Sequence, residues 1–524
     1  MKKNNPTTTS RAESGKLDSK AASSANKLAN SAKMQYSKSL LAVLAMASFL
    51  VPYLIGSYSI HSKKQLGMMD GMAEEYMLLG FNLYHTQRFQ VEDNKPFFFK
   101  APGYPYFLYY ALKFYDHVPK PDLQFTSQEE MRRAESALYD HIYRVQNVVF
   151  SFTALIVFLM VLEYLGATPA LFTSLLFSCN PYFIILVGLL HYEILHICLL
   201  ILGTFSLIKG FNCARAGYLW LISSGLGFGF ATLVRPITLI LPLFVFIGFV
   251  ISEKAKLRPA ILKTCVFTAF MMLVIAPYTW RNYRLSGELI PVNAQGGIAL
   301  WAGTVKPMTI QPNHYRWWDL WYLEGRPIYE RVAARYELSE FSWLGNSLEL
   351  DKVFQKEAYS NLRRQPLTYV YNVMINFISI NCCVNSVLLK IFEYIQLPGK
   401  TFVKAFLESN NDQTFYENSQ AHLFTVLVLI LTTCSAIGIY LGIRQHDFSM
   451  LPLLAIYMCV TVAHSITYID VMYYYVKLPF LFIFFAFFLR QVSENNKKNV
   501  PWVQRTSLAL CGLLTFVLLI NVIV

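Results

Sequence analysis

A chain of 524 residues that is 55% hydrophobic and 15% charged, with a mean hydropathy of +0.38, has too little polar surface for a soluble globule and reads as an all-α polytopic membrane protein. Its net charge of +13 does not indicate nucleic acid, because the cations fall largely in short loops and the N-terminal tail, where membrane topology puts them. The nine cysteines lie mostly in apolar runs without CxxC or Cys/His spacing, so they read as small apolar fillers and not as a zinc or redox site.

Residues 1–38 are rich in Ser, Ala, Asn, Thr and Lys, with eight Lys or Arg against Glu13 and Asp18 and no apolar period; they read as a disordered basic cytoplasmic tail. The run 39–60 is long enough to cross the bilayer, which puts an outer loop at 61–140. Further apolar runs near 141–164, 169–189, 192–210, 217–234, 236–252 and 259–279 complete an N-terminal transmembrane catalytic module over 39–280. Lys209, Arg215, Lys254, Lys256 and Arg258 then fall on the inner side. Residues 281–365 form an outer-loop subdomain with an amphipathic helix near 347–364. The C-terminal transmembrane module, 366–524, opens on a segment over 366–391 that reads as interfacial or re-entrant. Spans near 421–443, 449–467, 472–490 and 502–523 follow, for a bundle of about 11–12 crossings by the length rule. No internal repeat of the transporter kind is visible.

The chemistry-bearing residues gather at outer boundaries. Asp70 precedes a stripe of Met72, Tyr76, Leu79 and Leu83, which predicts a helix lying along the membrane surface in the first outer loop, with Glu74 on the same face as Asp70. A carboxylate anchored there is placed to take a proton from an acceptor hydroxyl; as plain structure, Asp70 caps the helix and Glu74 complements its dipole. Lys100 leads into the rigid turn Ala101-Pro102-Gly103-Tyr104-Pro105 and either snorkels or binds a lipid phosphate. Glu193 lies between two spans, where an acid is costly unless paired or open to a cavity; with His191 and His196 it invites a metal reading, but a hydrogen-bonding or acceptor-positioning use fits the pattern better. Arg235 and Arg281 sit at outer boundaries, either as anchors of helix ends or as bidentate partners of phosphate oxygens. His464, with Asp470, Tyr473, Tyr474 and Lys477, marks another outer boundary.

Several stretches together resemble the GT-C membrane glycosyltransferases, in the bacterial family-39-like and rhizobial-lipopolysaccharide-transferase-like branch related to protein O-mannosyltransferases and the aminoarabinose transferase. They are Asp70 to Tyr76 with Gly80-Phe81-Asn82-Leu83, Lys100 to Pro105, Tyr143-Arg144-Val145-Gln146-Asn147, Asn180-Pro181, Glu193, Leu233 to Pro236, Pro277 to Asn282 and Gly296 to Trp301. In order and spacing they cover most of 40–305. The resemblance implies a GT-C-like bundle, a polyprenyl-phosphate-linked sugar as donor, a glycan, lipid or protein acceptor, and an inverting single displacement without a cofactor or obligatory metal. It implies Asp70 as the catalytic carboxylate with Glu193 as a further acid, and Lys100, Arg235 and Arg281 on the donor phosphate; Glu74 is a further catalytic candidate from its place on the face of Asp70. Tyr76, Tyr104, His191 and His464 would position the acceptor. The implied setting is the bacterial inner membrane, among membrane lipids, with the site on the periplasmic face. The chain departs from relatives in carrying Gly71 after Asp70, and Met472-Tyr473 where an Arg-Tyr pair is frequent. A transporter or flippase of lipid-linked sugars, or a non-catalytic scaffold of the same fold, are the rival readings.

Overall fold

The computed structural model describes residues 37–64, 71–90, 96–115, 118, 128–212, 217–253, 255–305, 327–328, 330, 347–382, 431–440, 450–467 and 475–496. Among them every regular element is a helix, as the composition predicts. In chain order the first are α1 (Lys38–Lys64), α2 (Gly71–Thr86), α3 (Gly103–Lys113), α4 (Gln128–Leu165), α5 (Ala167–Ser178), α6 (Pro181–Val187), α7 (Glu193–Asn212) and α8 (Gly217–Val234). A 3-10 turn (Pro236–Ile240) leads to α9 (Leu241–Ser252), α10 (Leu257–Ser286), α11 (Gly296–Thr304), α12 (Ser347–Arg364) and α13 (Pro366–Cys382). Then come α14 (Leu431–Tyr440), α15 (Leu451–Ile466) and α16 (Leu478–Asn496).

Five of these are long and apolar enough to cross a membrane: the apolar parts of α1 and α4, together with α7, α8 and α10. Shorter apolar helices, among them α5, α9, α14 and α15, fill in the multi-pass bundle. The tail before residue 37 and the expected span 502–523 lie outside the described residues.

The expected single span over 169–189 is two helices. Asn180 caps α6 by accepting from the Tyr182 amide, and Pro181 at the first helical position lacks the amide that continuation of α5 would need. The main core then forms because small residues let helices meet. Gly203 of α7 faces the Phe228 ring of α8, while Gly225 and Gly229 of α8 lie against the backbone of α10 at Phe267 and Met271. In lipid, where burial of apolar surface gives little drive between helices, this close approach supplies the packing.

The segment 366–391, expected as interfacial or re-entrant, forms α13 over its first part, and its inward row is polar. Asn372 donates to the Gly303 and Val305 carbonyls at the end of α11, and Asn376 to Ser465 and Thr467 at the end of α15. Two asparagines one turn apart thus satisfy carbonyls at two helix C-termini, while Leu367, Tyr371 and Met374 face outward. The helix expected near 347–364 is α12, whose Asp351 accepts from the Ile298 amide at the start of α11.

Candidate functional site

At one end of the bundle Glu193 begins α7 and Arg235 follows α8. The Arg235 Nη1 donates to Glu193 Oε1 at 2.8 Å; the Glu193 side chain is 0% exposed and that of Arg235 9%. The guanidinium also stands over the Tyr192 ring, 5.7 Å from its centroid. Tyr192 meets Tyr76 of α2 edge-on at 5.5 Å, Tyr76 meets Tyr104 of α3 at 5.4 Å, and Lys100 Nζ lies 5.1 Å above Tyr76. Lys100, Tyr76, Tyr104, His191, Glu193 and Arg235 are therefore brought into one cluster by α2, α3, α7 and α8. His464 of α15 lies within electrostatic reach of Arg235, Lys477 and His196.

Each member is held locally. The strap that carries Lys100 is fixed by three successive carbonyls: Phe97 accepts from Arg281 Nη1 at 3.1 Å, Phe98 from the Ala294 amide at 2.8 Å, and Phe99 from Asn293 Nδ2 at 2.9 Å. The turn after it comes flush against α8, where a Cβ on Gly103 would meet Val234 Cγ2 at 2.6 Å and the Val234 nitrogen at 2.7 Å. Tyr104 is fully buried and donates to Gln146 Oε1 at 2.6 Å; burial pushes its phenol well above the ordinary value, so it remains a donor. Gln146 in turn donates to the Val187 and Leu189 carbonyls, which holds the turn bearing His191. Burial, then the Arg235 and Lys100 cations, push the His191 imidazole down to about 3 from 6.5, so it is neutral at physiological pH.

Arg281 sits elsewhere. Besides Phe97, it donates to the Phe89 carbonyl at 3.1 Å and to Asn282 Oδ1, and its guanidinium is ringed by Phe89, Phe98 and Tyr278. Its contacts support the strap that presents Lys100; the resemblance implied a place on the donor phosphate, and the residue pattern left helix-end anchoring or phosphate binding open. Tyr104 likewise spends its hydroxyl on the core. Asp70 lies outside the described residues, as does the Glu74 side chain, although the backbone of α2 begins at Gly71, where the stripe predicts. Of the residues of that stripe, Tyr76, Leu79 and Leu83 are buried, while the Met72 side chain lies outside the described residues. Among the described residues no three His, Cys, Asp or Glu side chains converge as metal ligands. Gln146 stands inside a motif noted in the sequence, but its part in holding two turns is visible only in three dimensions. A glutamine beside an asparagine within an apolar run was the available signal.

Residues 138–280 match the model of the dolichyl-phosphate-mannose-protein mannosyltransferase family. This segment contains the Tyr143 to Asn147, Asn180-Pro181, Glu193 and Leu233 to Pro236 motifs, so the resemblance read from the motifs and the family match coincide there. No curated protein matches the chain. Among solved structures it is similar to the archaeal oligosaccharyltransferase AglB from Archaeoglobus fulgidus, in complex with an inhibitory peptide and a dolichol-phosphate. That similarity has 12% identity and a TM-score of 0.49, covering 91% of this chain and 55% of that one. It is also similar to ArnT from Cupriavidus metallidurans bound to undecaprenyl phosphate, at 13% identity and a TM-score of 0.34, covering 88% of this chain and 79% of that one. The chain thus spans about half the length of the oligosaccharyltransferase, 55%.

Proposed function

We propose that the protein is a glycosyltransferase that moves a sugar from a polyprenyl-phosphate donor to a glycan, lipid or protein acceptor on the non-cytoplasmic face of the bacterial inner membrane. The observation that carries this reading is the buried Glu193–Arg235 pair beside the Lys100 strap, inside a segment that matches a lipid-phosphate-sugar transferase family. Arginine and lysine together suit a lipid phosphate: the guanidinium offers a planar fork, the ammonium a point charge.

In the reaction, Asp70 accepts the proton of the acceptor hydroxyl while that oxygen forms its bond to the anomeric carbon. The bond from that carbon to the phosphate oxygen breaks as the new one forms, and the electron pair leaves with the lipid phosphate. Lys100 and Arg235 stabilise the charge that grows there. A phosphate ester is an acidic leaving group, so no general acid is needed. Glu193 holds Arg235 in place, and Arg281 acts through the strap as a positioning residue.

The test is transfer of label from a panel of radiolabelled polyprenyl-phosphate sugars into envelope acceptors by the purified, lipid-reconstituted protein. The wild type should transfer from at least one donor, and Asp70→Asn should lose at least about a hundredfold in rate while folding normally. Transfer unchanged in that variant would remove Asp70 from the chemistry. Absence of both transfer and donor binding would overturn the enzyme reading in favour of transport or scaffolding.

A further inference from the structure

His196 is 0% exposed on α7, one turn beyond Glu193, and neither of its ring nitrogens has a hydrogen-bond partner among the described residues. His191 is buried just before the same helix, and its Nδ1 likewise has none among the described residues. Glu193 stands between them in the chain with its Oε1 on Arg235. His464 approaches from α15, near both His196 and Arg235. Buried nitrogens of this kind are costly, and several of them, near a held guanidinium and without partners among the described residues, suit polar groups brought by a ligand.

The chemistry of the ring narrows what those groups are. A neutral imidazole offers one N–H donor and one bare acceptor nitrogen. A phosphate diester oxygen can answer only the donor, and the cations already present suit it better. A hydroxyl answers both. We propose that His191 and His196 form a hydroxyl-recognition subsite for the sugar of the lipid-phosphate donor, next to the phosphate-binding cations Lys100 and Arg235. The inference rests on the donor class proposed above and extends it: the transferred group is a sugar with free hydroxyls turned toward the start of α7, and the two histidines discriminate among sugars.

The test compares binding of two kinds of probe to the full-length reconstituted protein: bare polyprenyl phosphate, and the polyprenyl-phosphate hexoses with their monodeoxy derivatives. His196→Leu should bind the bare lipid phosphate as the wild type does, yet lose about tenfold in affinity for at least one glycosylated lipid. His196→Gln, which keeps a donor and an acceptor, should recover part of that loss. The deoxy sugar lacking the recognised hydroxyl should bind wild type and His196→Leu alike. Equal weakening of bare and glycosylated lipid would make the histidine structural or phosphate-binding and overturn the proposal, as would unchanged binding of both. A wild type that binds the bare lipid but discriminates no sugar overturns the subsite alone. One that binds neither overturns the donor assignment, and the subsite with it.

Discussion

At the residue scale the buried pair decides most. Glu193 and Arg235 are each expensive to bury alone, and removing one partner from such a pair leaves the other uncompensated. Arg235→Ala should therefore destabilise the protein by roughly 3–5 kcal/mol, seen as a lower unfolding midpoint in detergent, and should also abolish donor binding. Glu193→Gln, which keeps an oxygen acceptor for Arg235, should lose less stability than Arg235→Ala and retain donor binding. Equal loss in both variants would count against Glu193 as the holder of Arg235. His191 adds a pH dependence. Its imidazole has a folded-state value of about 3 against an ordinary 6.5, so the unfolded chain binds the extra proton between these values. Its neutral burial stabilises fully above pH 6.5 and that contribution falls away as pH drops toward 3. The unfolding midpoint of the wild type should decline across that window more steeply than that of His191→Asn; parallel declines would refute the assignment.

At the element scale the strap and its turn make the site. Three donors from Arg281, Asn293 and Ala294 fix the 97–99 carbonyls, and Gly103 then lets α3 begin against the end of α8. Gly103→Ala must push the turn away from Val234 and disturb Lys100 over the Tyr76 ring. Donor affinity should fall at least tenfold with stability lowered by about 1–3 kcal/mol, whereas Gly296→Ala, whose Cβ would meet nothing among the described residues, should leave donor affinity intact. Much of this architecture was legible in the sequence. The apolar runs announced α7, α8 and α10, the Met72 to Leu83 stripe announced α2, and Glu193 and Arg235 stood out as boundary charges. What the sequence could not separate was Arg235 from Arg281, since both are arginines at helix ends. The difference lies in what faces them, a carboxylate from α7 for one and, for the other, two remote backbone carbonyls, Phe97 on the strap and Phe89 after α2. The split at Asn180-Pro181 could have been read, because an asparagine cap before a proline is a helix start inside an otherwise continuous apolar run. The inward asparagines of α13 could not be placed without the helix ends they satisfy.

At the scale of the whole molecule the helices sort their ends into two levels. Glu193, Arg235 and the end of α10 at Ser286 lie at one level, since Asn293 and Arg281 beyond and within α10 clamp the strap that lies beside the Glu193–Arg235 cluster. The C-terminus of α7, where Lys209 pairs with Glu163 of α4 at 3.0 Å, and the start of α10 lie at the other. With 30 residues, α10 reaches roughly 45 Å at about 1.5 Å per residue, enough to cross hydrocarbon and headgroups together. Lys256, Arg258 and Lys263 lie at or near its start, and under the proposed function the positive-inside rule predicts that this end is cytoplasmic and the Glu193–Arg235 cluster outside. In a chain whose nine native cysteines are replaced, Leu289→Cys should react with a membrane-impermeant maleimide from the outer side of intact cells. Leu257→Cys should react only after permeabilisation, both positions being exposed on the protein surface. Reversed labelling would place the cluster on the cytoplasmic face and with it the donor and acceptor. Labelling of both from one side would show that α10 does not cross, and the two-level arrangement would fall.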